Sequence, residues 1–342
     1  MKAVEVRPDG GVSVVDRPVP RLGPGEALVR VEVCGICGSD LLDWYVKKKA
    51  GTVLGHELAG EVVEVGAGVT AFAPGDRVVP HHHAPCGECD ACRSGRFVHC
   101  AEWKSSRLDP GGMAQYVRVP AGNLSRDTLE MPEGLTAEEA SWTEPLATVV
   151  KAFRRGRFAA GQSLLVVGAG ATGQLAVRLG RALGASRIAA ADRVASRLAL
   201  ARESGAEEAL NVDREALATG FDFVFVGPGK SAVIRAGFDA VAEGGTLLLF
   251  TMAPPEERWN VSPHDLYFRE VTVVPSYSCG PDDTRQALSL LASKRVRVAD
   301  LVTHRFPVER AEEAFERARD PQGSLKVMIT FGAPSPPGRG TG

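Results

Sequence analysis

Cys86, Cys89 and Cys92 form a CxxCxxC run, and Cys100 follows after seven intervening residues. Four thiolates close a tetrahedral zinc shell and leave no position for substrate, so this loop, which also carries Pro85, Gly87 and Gly95, is expected to hold a structural zinc. Iron or a pair of disulfides is the competing use of the same residues. A second group is scattered along the chain: Cys37, His56, Glu57 and Glu144. A thiolate, an imidazole and a carboxylate can hold zinc while a further position takes water or a substrate oxygen, the pattern of a catalytic metal. Either Glu57 or Glu144 is the direct oxygen ligand on this reading. Taken alone, the same residues also fit a buried cysteine, a core histidine and two solvent-facing glutamates.

Gly168, Gly170 and Gly173 form GxGxxG where the apolar run from Leu164 gives way to a helical pattern. Such a turn lets the backbone approach a pyrophosphate at a helix N-terminus. Ala171 and Thr172 lie within the turn. Asp192, at the end of the next apolar run, is placed to accept hydrogen bonds from ribose hydroxyls and to repel a phosphate there, which favours NAD over NADP. Arg193, beside it, is a cation that stacks on adenine or meets a 2′-phosphate, and Arg197 is assigned to the same dinucleotide site. An ordinary tight turn, with Asp192 as a helix cap, is the plainer alternative.

The elements that must position these groups change character along the chain. The first part alternates short strand candidates, at 27–33, 61–65 and 76–79, with glycine and proline punctuation, which predicts a β-rich domain. From Leu164 the pattern becomes strand, turn, helix, strand: a helix at 197–206, a strand at 221–226, a helix at 234–242 and a strand at 246–250. That recurrence predicts a parallel sheet with crossover helices, with a further strand at 270–275 and a helix at 284–292. The fold class expected is α/β, in which residues 1–146 open a catalytic domain, 147–284 form the dinucleotide domain, 285–333 return to the first domain and 334–342, PSPPGRGTG, form a flexible tail.

The chain of 342 residues has a formal net charge of −2, which supplies no field for holding nucleic acid. No run is long enough to span a membrane, and the opening residues, MKAVEVRPDGG, turn charged before a secretory core forms, so the expected location is cytoplasmic.

GHELAG at 55–60, CGICGSD at 34–40, the four-cysteine loop and the glycine turn together resemble the zinc-dependent medium-chain alcohol dehydrogenases over nearly the whole chain. The resemblance implies a GroES-like catalytic domain joined to a Rossmann domain, with one catalytic and one structural zinc per subunit. It places Cys37 and His56 on the catalytic zinc, with Glu57 adjacent or alternative, and matches Cys86, Cys89, Cys92 and Cys100 to the structural zinc. TEPLA at 143–147 and DLYFREVTVVPSYSCGPDDT at 265–284 look like the sorbitol and polyol dehydrogenase branch, in which the glutamate matching Glu144 acts at zinc or through its water. A cleft between domains and a homo-oligomer, tetramer rather than dimer, are further implications.

The reaction this implies is oxidation of a secondary alcohol, a polyol or cyclitol, by NAD. Threonine or another amino alcohol, a sugar phosphate and a simple alcohol are the alternative substrates, and a nonenzymatic cofactor-binding protein is the alternative class. Ser39 is the expected start of a proton relay, with a turn hydroxyl as its plainer role. Family members often continue that relay through a histidine three residues on, where this chain has Leu42. His81, His82 and His83 are expected to be a polar loop with one structural hydrogen-bonding member rather than substitutes. Trp44 and Tyr45 either line the substrate cleft or simply pack, and Lys47, Lys48 and Lys49 are read as a solvated positive loop, with reception of a sugar phosphate as the alternative.

Overall fold

A computed structural model describes residues 1–332, and the expected tail at 334–342 lies outside the described residues. The chain clusters into two compact units. One contains Met1–Glu144, Gly280–Ala292 and the segment from Val302 on; the other contains Pro145–Cys279 and Ser293–Leu301. The clustering differs from a single return near residue 285: the helix Pro281–Ala292 belongs with the first unit, and the chain visits the second once more at Ser293–Leu301.

The first unit is built on a mainly antiparallel sheet whose neighbours run Val302–Pro307, Lys326–Thr330, Ala27–Gly35, Glu57–Val65, Arg77–Pro80 and Thr128–Glu130, with Tyr116–Val119 also paired to Ala27–Gly35. Alternation explains the long central strand: Val29, Val31 and Val33 are buried, while Arg30 and Glu32 are half-exposed. Arg30 meets Glu61 across the pair at 2.5 Å, so the polar face is tied as well as wetted. The apolar face packs with Val4, Leu58, Val62, Val117 and Ile329 into one core, closed by Phe315 of the helix Ala311–Arg319.

The second unit holds a six-stranded sheet in the order Glu208–Asn211, Arg187–Asp192, Ser163–Val167, Phe221–Val226, Val241–Leu249 and Thr272–Pro275, every neighbouring pair parallel. In chain order that is 3-2-1-4-5-6, the doubly wound arrangement of a Rossmann domain. Continuous apolar runs such as LLVV and FVFV form its centre because parallel strands are covered on both faces. Within this unit a buried polar chain ties helix to helix. Gln174 donates to the carbonyls of Ala169 and Arg197, Ser204 donates to Gln174, and Arg178 reaches Ser204 and, through two nitrogens, Asp300. Among the described residues no helix is long and apolar enough to cross a membrane.

Candidate active site and metal centres

Cys37, His56 and Glu57 are nineteen or more residues apart in part, and strand register brings them together. Ala27–Gly35 and Glu57–Val65 pair antiparallel with Gly35 opposite Glu57, so the chain leaving one strand and the chain entering the other meet at the same end. Cys37 then caps the short turn Gly38–Leu41, and one ligand atom from each of Cys37, His56 and Glu57 lies within 4.8 Å of the others. Thiolate, imidazole and carboxylate at that separation fit a zinc with three protein ligands and one position left for substrate or water.

Glu57 is almost fully buried and forms an ion pair with Lys326, itself buried on the strand Lys326–Thr330. Lys326 Nζ also donates to the Ile36 carbonyl at 3.1 Å and lies 5.1 Å from the centre of the Trp142 ring. Burial alone would lower the lysine's pKa, but Glu57 and Cys37 outweigh it and hold the ammonium charged above its ordinary range. Gly35 is required beneath this pair. A Cβ there would lie 2.3 Å from Glu57 Oε2 and 2.7 Å from Lys326 Cε. Lys326 was absent from the sequence reading because nothing local marks it; its partner is 269 residues away.

His56 is half-buried. Burial opposes its protonation, yet Cys37, Asp40 and Glu144 together raise its pKa well above that of ordinary imidazole. The negative field that favours a proton there is the field a divalent cation would find. Asp40, a second residue the sequence did not single out, is buried, and its Oδ2 accepts the Cys37 N–H at 3.2 Å.

Glu144 enters from the start of the helix Thr143–Arg155, a helix that tolerates Pro145 because its first turn has no intrahelical use for that N–H. It lines a pocket with His56, His81, Asp127, Ser141 and Thr284. Its closest metal-capable grouping is with His81 and His82 rather than with Cys37 and Glu57. Burial pushes its carboxyl above the usual range, with His56 pulling the other way. The histidine triplet is more ordered than the single structural member expected of it. His81 Nδ1 meets Asp127 Oδ2 at 2.7 Å, and His83 Nδ1 meets the Ser106 carbonyl at 3.0 Å while its ring lies 4.0 Å from that of Trp103. The expectation failed because two of these rings are covered by packing that sequence spacing does not show.

Ser39 is half-buried on the turn after Cys37, and Leu42, also half-buried, supplies no relay group. Trp44 and Tyr45 contact each other edge to face, with Lys48 Nζ 5.4 Å from the first ring and Lys49 Nζ 4.1 Å from the second. Two of the three lysines therefore lie over aromatic faces rather than standing free in solvent.

The four cysteines behave differently from the first set. Cys89 caps the short helix Asp90–Arg93 and Cys100 caps Ala101–Ser105, and all four sulfurs lie within 4.8 Å of one another. Cys89 Sγ to Cys92 Sγ is 3.5 Å, and backbone N–H groups of Cys86 and Cys89 donate to Cys100 and Cys86 sulfurs. Val98 and Trp103 pack around them. N–H···S donors and a closed thiolate shell fit a structural zinc.

In the second unit the glycine turn follows Ser163–Val167 and opens the helix Ala171–Ala182. Gly168 has φ +94°, and a Cβ on Gly173 would lie 2.0 Å from the Gly168 carbonyl, so the tight strand-to-helix connection demands glycine at both. Ala171 and Thr172 are half-buried at the helix start. Asp192 accepts the Ala169 N–H at 2.7 Å and caps its own turn through Arg193 and Val194, which fixes its carboxylate at the strand end. Arg193 pairs with Asp213 at 2.9 Å, and Arg197 Nη1 lies 3.7 Å from where a Gly170 Cβ would be.

This geometry defines a metal-dependent dehydrogenase, and comparison with known proteins agrees. Residues 23–132 match the alcohol dehydrogenase GroES-like domain and residues 171–293 the zinc-binding dehydrogenase domain. Sorbitol dehydrogenase of Gallus gallus is 33% identical over 351 residues, covering 96% of this chain and 95% of that protein. Among solved structures, an alcohol dehydrogenase from Thermus sp. ATN1 superposes with TM-score 0.86 at 30% identity, covering 97% of this chain and 100% of that one. A zinc-binding dehydrogenase from Sinorhizobium meliloti 1021, bound to NADP, gives TM-score 0.87 at 29% identity over 96% and 98% of the two chains. The chain belongs to the zinc-binding medium-chain dehydrogenase family and is closely related to its sorbitol and polyol dehydrogenases. It is an NAD(P)-dependent oxidoreductase acting on a CH–OH group.

Proposed function

We propose that the protein oxidises a secondary alcohol of a polyol or cyclitol to a ketone, with NAD as acceptor. The observation that carries this reading is the Cys37, His56 and Glu57 set, three unlike ligands gathered at one sheet end in a chain that also carries a Rossmann unit. A zinc bound there supplies Lewis acidity toward an alcohol oxygen. Lys326, its ammonium held charged beside Glu57, forms a buried ion pair that keeps the Glu57 carboxylate oriented. Glu144, buried in the pocket beside His56, serves as an alternative ligand or as the base that orients a water. Ser39 is the hydroxyl available to take up the substrate proton, with water rather than Leu42 continuing the path.

Asp192 supports NAD through its fixed position at the strand end, whereas Arg193 is engaged with Asp213. The Sinorhizobium relative bound to NADP makes the cofactor comparison a necessary part of the test. The assembly expected is a homotetramer. Thr272–Pro275 ends the Rossmann sheet, and Tyr267, Phe268 and Tyr277 near it are largely exposed, a surface suited to strand-mediated pairing of two copies. Sedimentation of the metal-loaded protein checks this, and a stable monomer contradicts it.

The functional test is a panel of polyols, cyclitols, sugar phosphates, threonine and simple alcohols with NAD or NADP, read by reduced-cofactor absorbance. Highest kcat/KM on a polyol or cyclitol with NAD is expected. Preference for threonine, a sugar phosphate or a simple alcohol removes the substrate class, and preference for NADP removes the cofactor.

A further inference from the structure

Asp192 is the residue on which a preference for NAD rests, and three backbone donors already occupy it. Its Oδ1 accepts the N–H groups of Arg193 at 2.7 Å and Val194 at 2.9 Å, and its Oδ2 accepts that of Ala169 at 2.7 Å. An ionised carboxylate offers about four acceptor positions, so about one is left for a ribose hydroxyl. The same three N–H groups blunt the charge with which Asp192 turns a phosphate away. Next to it stands Arg193, a largely exposed cation of the kind that grips phosphate. Asp192 with such a neighbour is a weak filter on its own.

We propose that Asp213 completes the filter. It is a specificity-determining residue that engages the Arg193 guanidinium, the cation a 2′-phosphate needs, and sets a second negative charge beside Asp192. The ribose with a free 2′-hydroxyl is thereby preferred. This rests on the NAD reading above and extends it to a residue on the neighbouring strand end.

Strand register makes the pair. Arg187–Asp192 and Glu208–Asn211 run parallel with Asn211 opposite Asp192, so the residues just past the two ends leave the sheet side by side. The Val212 N–H reaches the Asp192 carbonyl at 3.2 Å. Asn211 ties both exits: its Oδ1 accepts the Asp213 N–H at 3.0 Å, and its Nδ2 donates to the Arg193 carbonyl at 3.5 Å. Arg193 Nε then lies 2.9 Å from Asp213 Oδ1 and 3.2 Å from Oδ2. The two terminal guanidinium nitrogens make no hydrogen bond among the described residues, so Asp213 is the one carboxylate there with which a 2′-phosphate competes for this cation. The Arg193 and Asp213 side chains are 74% and 50% exposed, so the pair does little for the fold and its removal leaves the protein folded.

The test uses the adenosine halves of the two cofactors and reads binding rather than turnover. Affinities of the zinc-loaded full-length protein for 5′-AMP and for adenosine 2′,5′-bisphosphate are measured by titration calorimetry in the parent, in Asp213→Asn and in Asp213→Asn with Arg193→Ala. Asp213→Asn keeps the shape and the backbone N–H and removes the charge. It should tighten the bisphosphate by roughly 10-fold, the scale of one unit charge near a protein surface, and leave 5′-AMP affinity and the melting temperature unchanged. The double variant should lose the gain, because Arg193 supplies it. An unchanged ratio of the two affinities in Asp213→Asn overturns the proposal, and so does a gain that survives removal of Arg193. The parent's own preference is a separate readout: tighter binding of the bisphosphate than of 5′-AMP contradicts the NAD reading, whereas the change from parent to variant decides the role of Asp213.

Discussion

The four-cysteine loop and the Cys37, His56 and Glu57 set gather their ligands in opposite ways. The loop is local: its cysteines span a short stretch, turn on Gly87 and Gly95, and are packed by Val98 and Trp103. The other set exists only because two strands pair with Gly35 opposite Glu57, and because a third strand carries Lys326 to the same point. A closed shell of like ligands stabilises a fold, whereas unlike ligands held by distant strands leave a position open and depend on the whole sheet for their geometry.

That contrast gives separable consequences. Replacing His56 by Ala should lower kcat/KM by 1,000-fold or more, about 4 kcal/mol of transition-state stabilisation, with the four-cysteine zinc retained and the melting temperature nearly unchanged. Cys92→Ser should do the reverse, with a stability loss on the order of 4 kcal/mol read in denaturant melts and the remaining folded protein still active. If Cys92→Ser abolished turnover in fully folded protein, the division of labour between the two regions would fail.

Lys326→Met strands Glu57 as a buried charge and should cost about 3 kcal/mol in the zinc-free protein, less once zinc takes over as its partner. The sign of its pH dependence is fixed by the raised lysine pKa: the contribution is present below the ordinary lysine value of 10.5 and is lost as pH rises through the folded one, so the parent alone should weaken at strongly alkaline pH. Melts with and without chelator, at neutral and at strongly alkaline pH, distinguish these cases. Glu144→Gln keeps the shape and removes the charge, and turnover should fall by roughly 10 to 100-fold. Loss of turnover with zinc retained assigns Glu144 to orienting water, and loss of both assigns it to direct ligation; unchanged turnover and unchanged zinc exclude both roles.

The smallest effect concerns the wall between the regions. His83 is held to about 3, first by burial and then by His81 and Arg107, against an ordinary 6.5. A depressed histidine is neutral in the fold, so the unfolded chain takes up the proton first and stability is lost as pH falls below 6.5. Going from pH 7 to pH 5 should therefore cost about 2 kcal/mol, and His83→Phe should flatten that slope. An identical slope in the variant would assign the acid sensitivity elsewhere.

Much of this was legible because the signals were local. The strand at 221–226 was read with its observed bounds, and the glycine turn was placed at its strand-to-helix junction. The strand read as 61–65 begins at Glu57, because a buried glutamate looks like a turn residue until Lys326 is known. The helix Thr143–Arg155 went unread, its third residue being a proline that signals a break yet sits harmlessly in a first turn. Fold class followed from periodicity, whereas Lys326, Asp40 and the Asp127–His81 pair depend on contacts that no spacing encodes.

The central claim is that Cys37, His56 and Glu57 hold a catalytic zinc separate from the four-cysteine one. Anomalous X-ray scattering from crystals of the zinc-loaded protein, recorded on both sides of the zinc edge, tests it most directly. The account predicts a strong peak among Cys37 Sγ, His56 and Glu57 as well as one among Cys86, Cys89, Cys92 and Cys100. A fully loaded, active crystal with the cysteine-loop peak alone would contradict it.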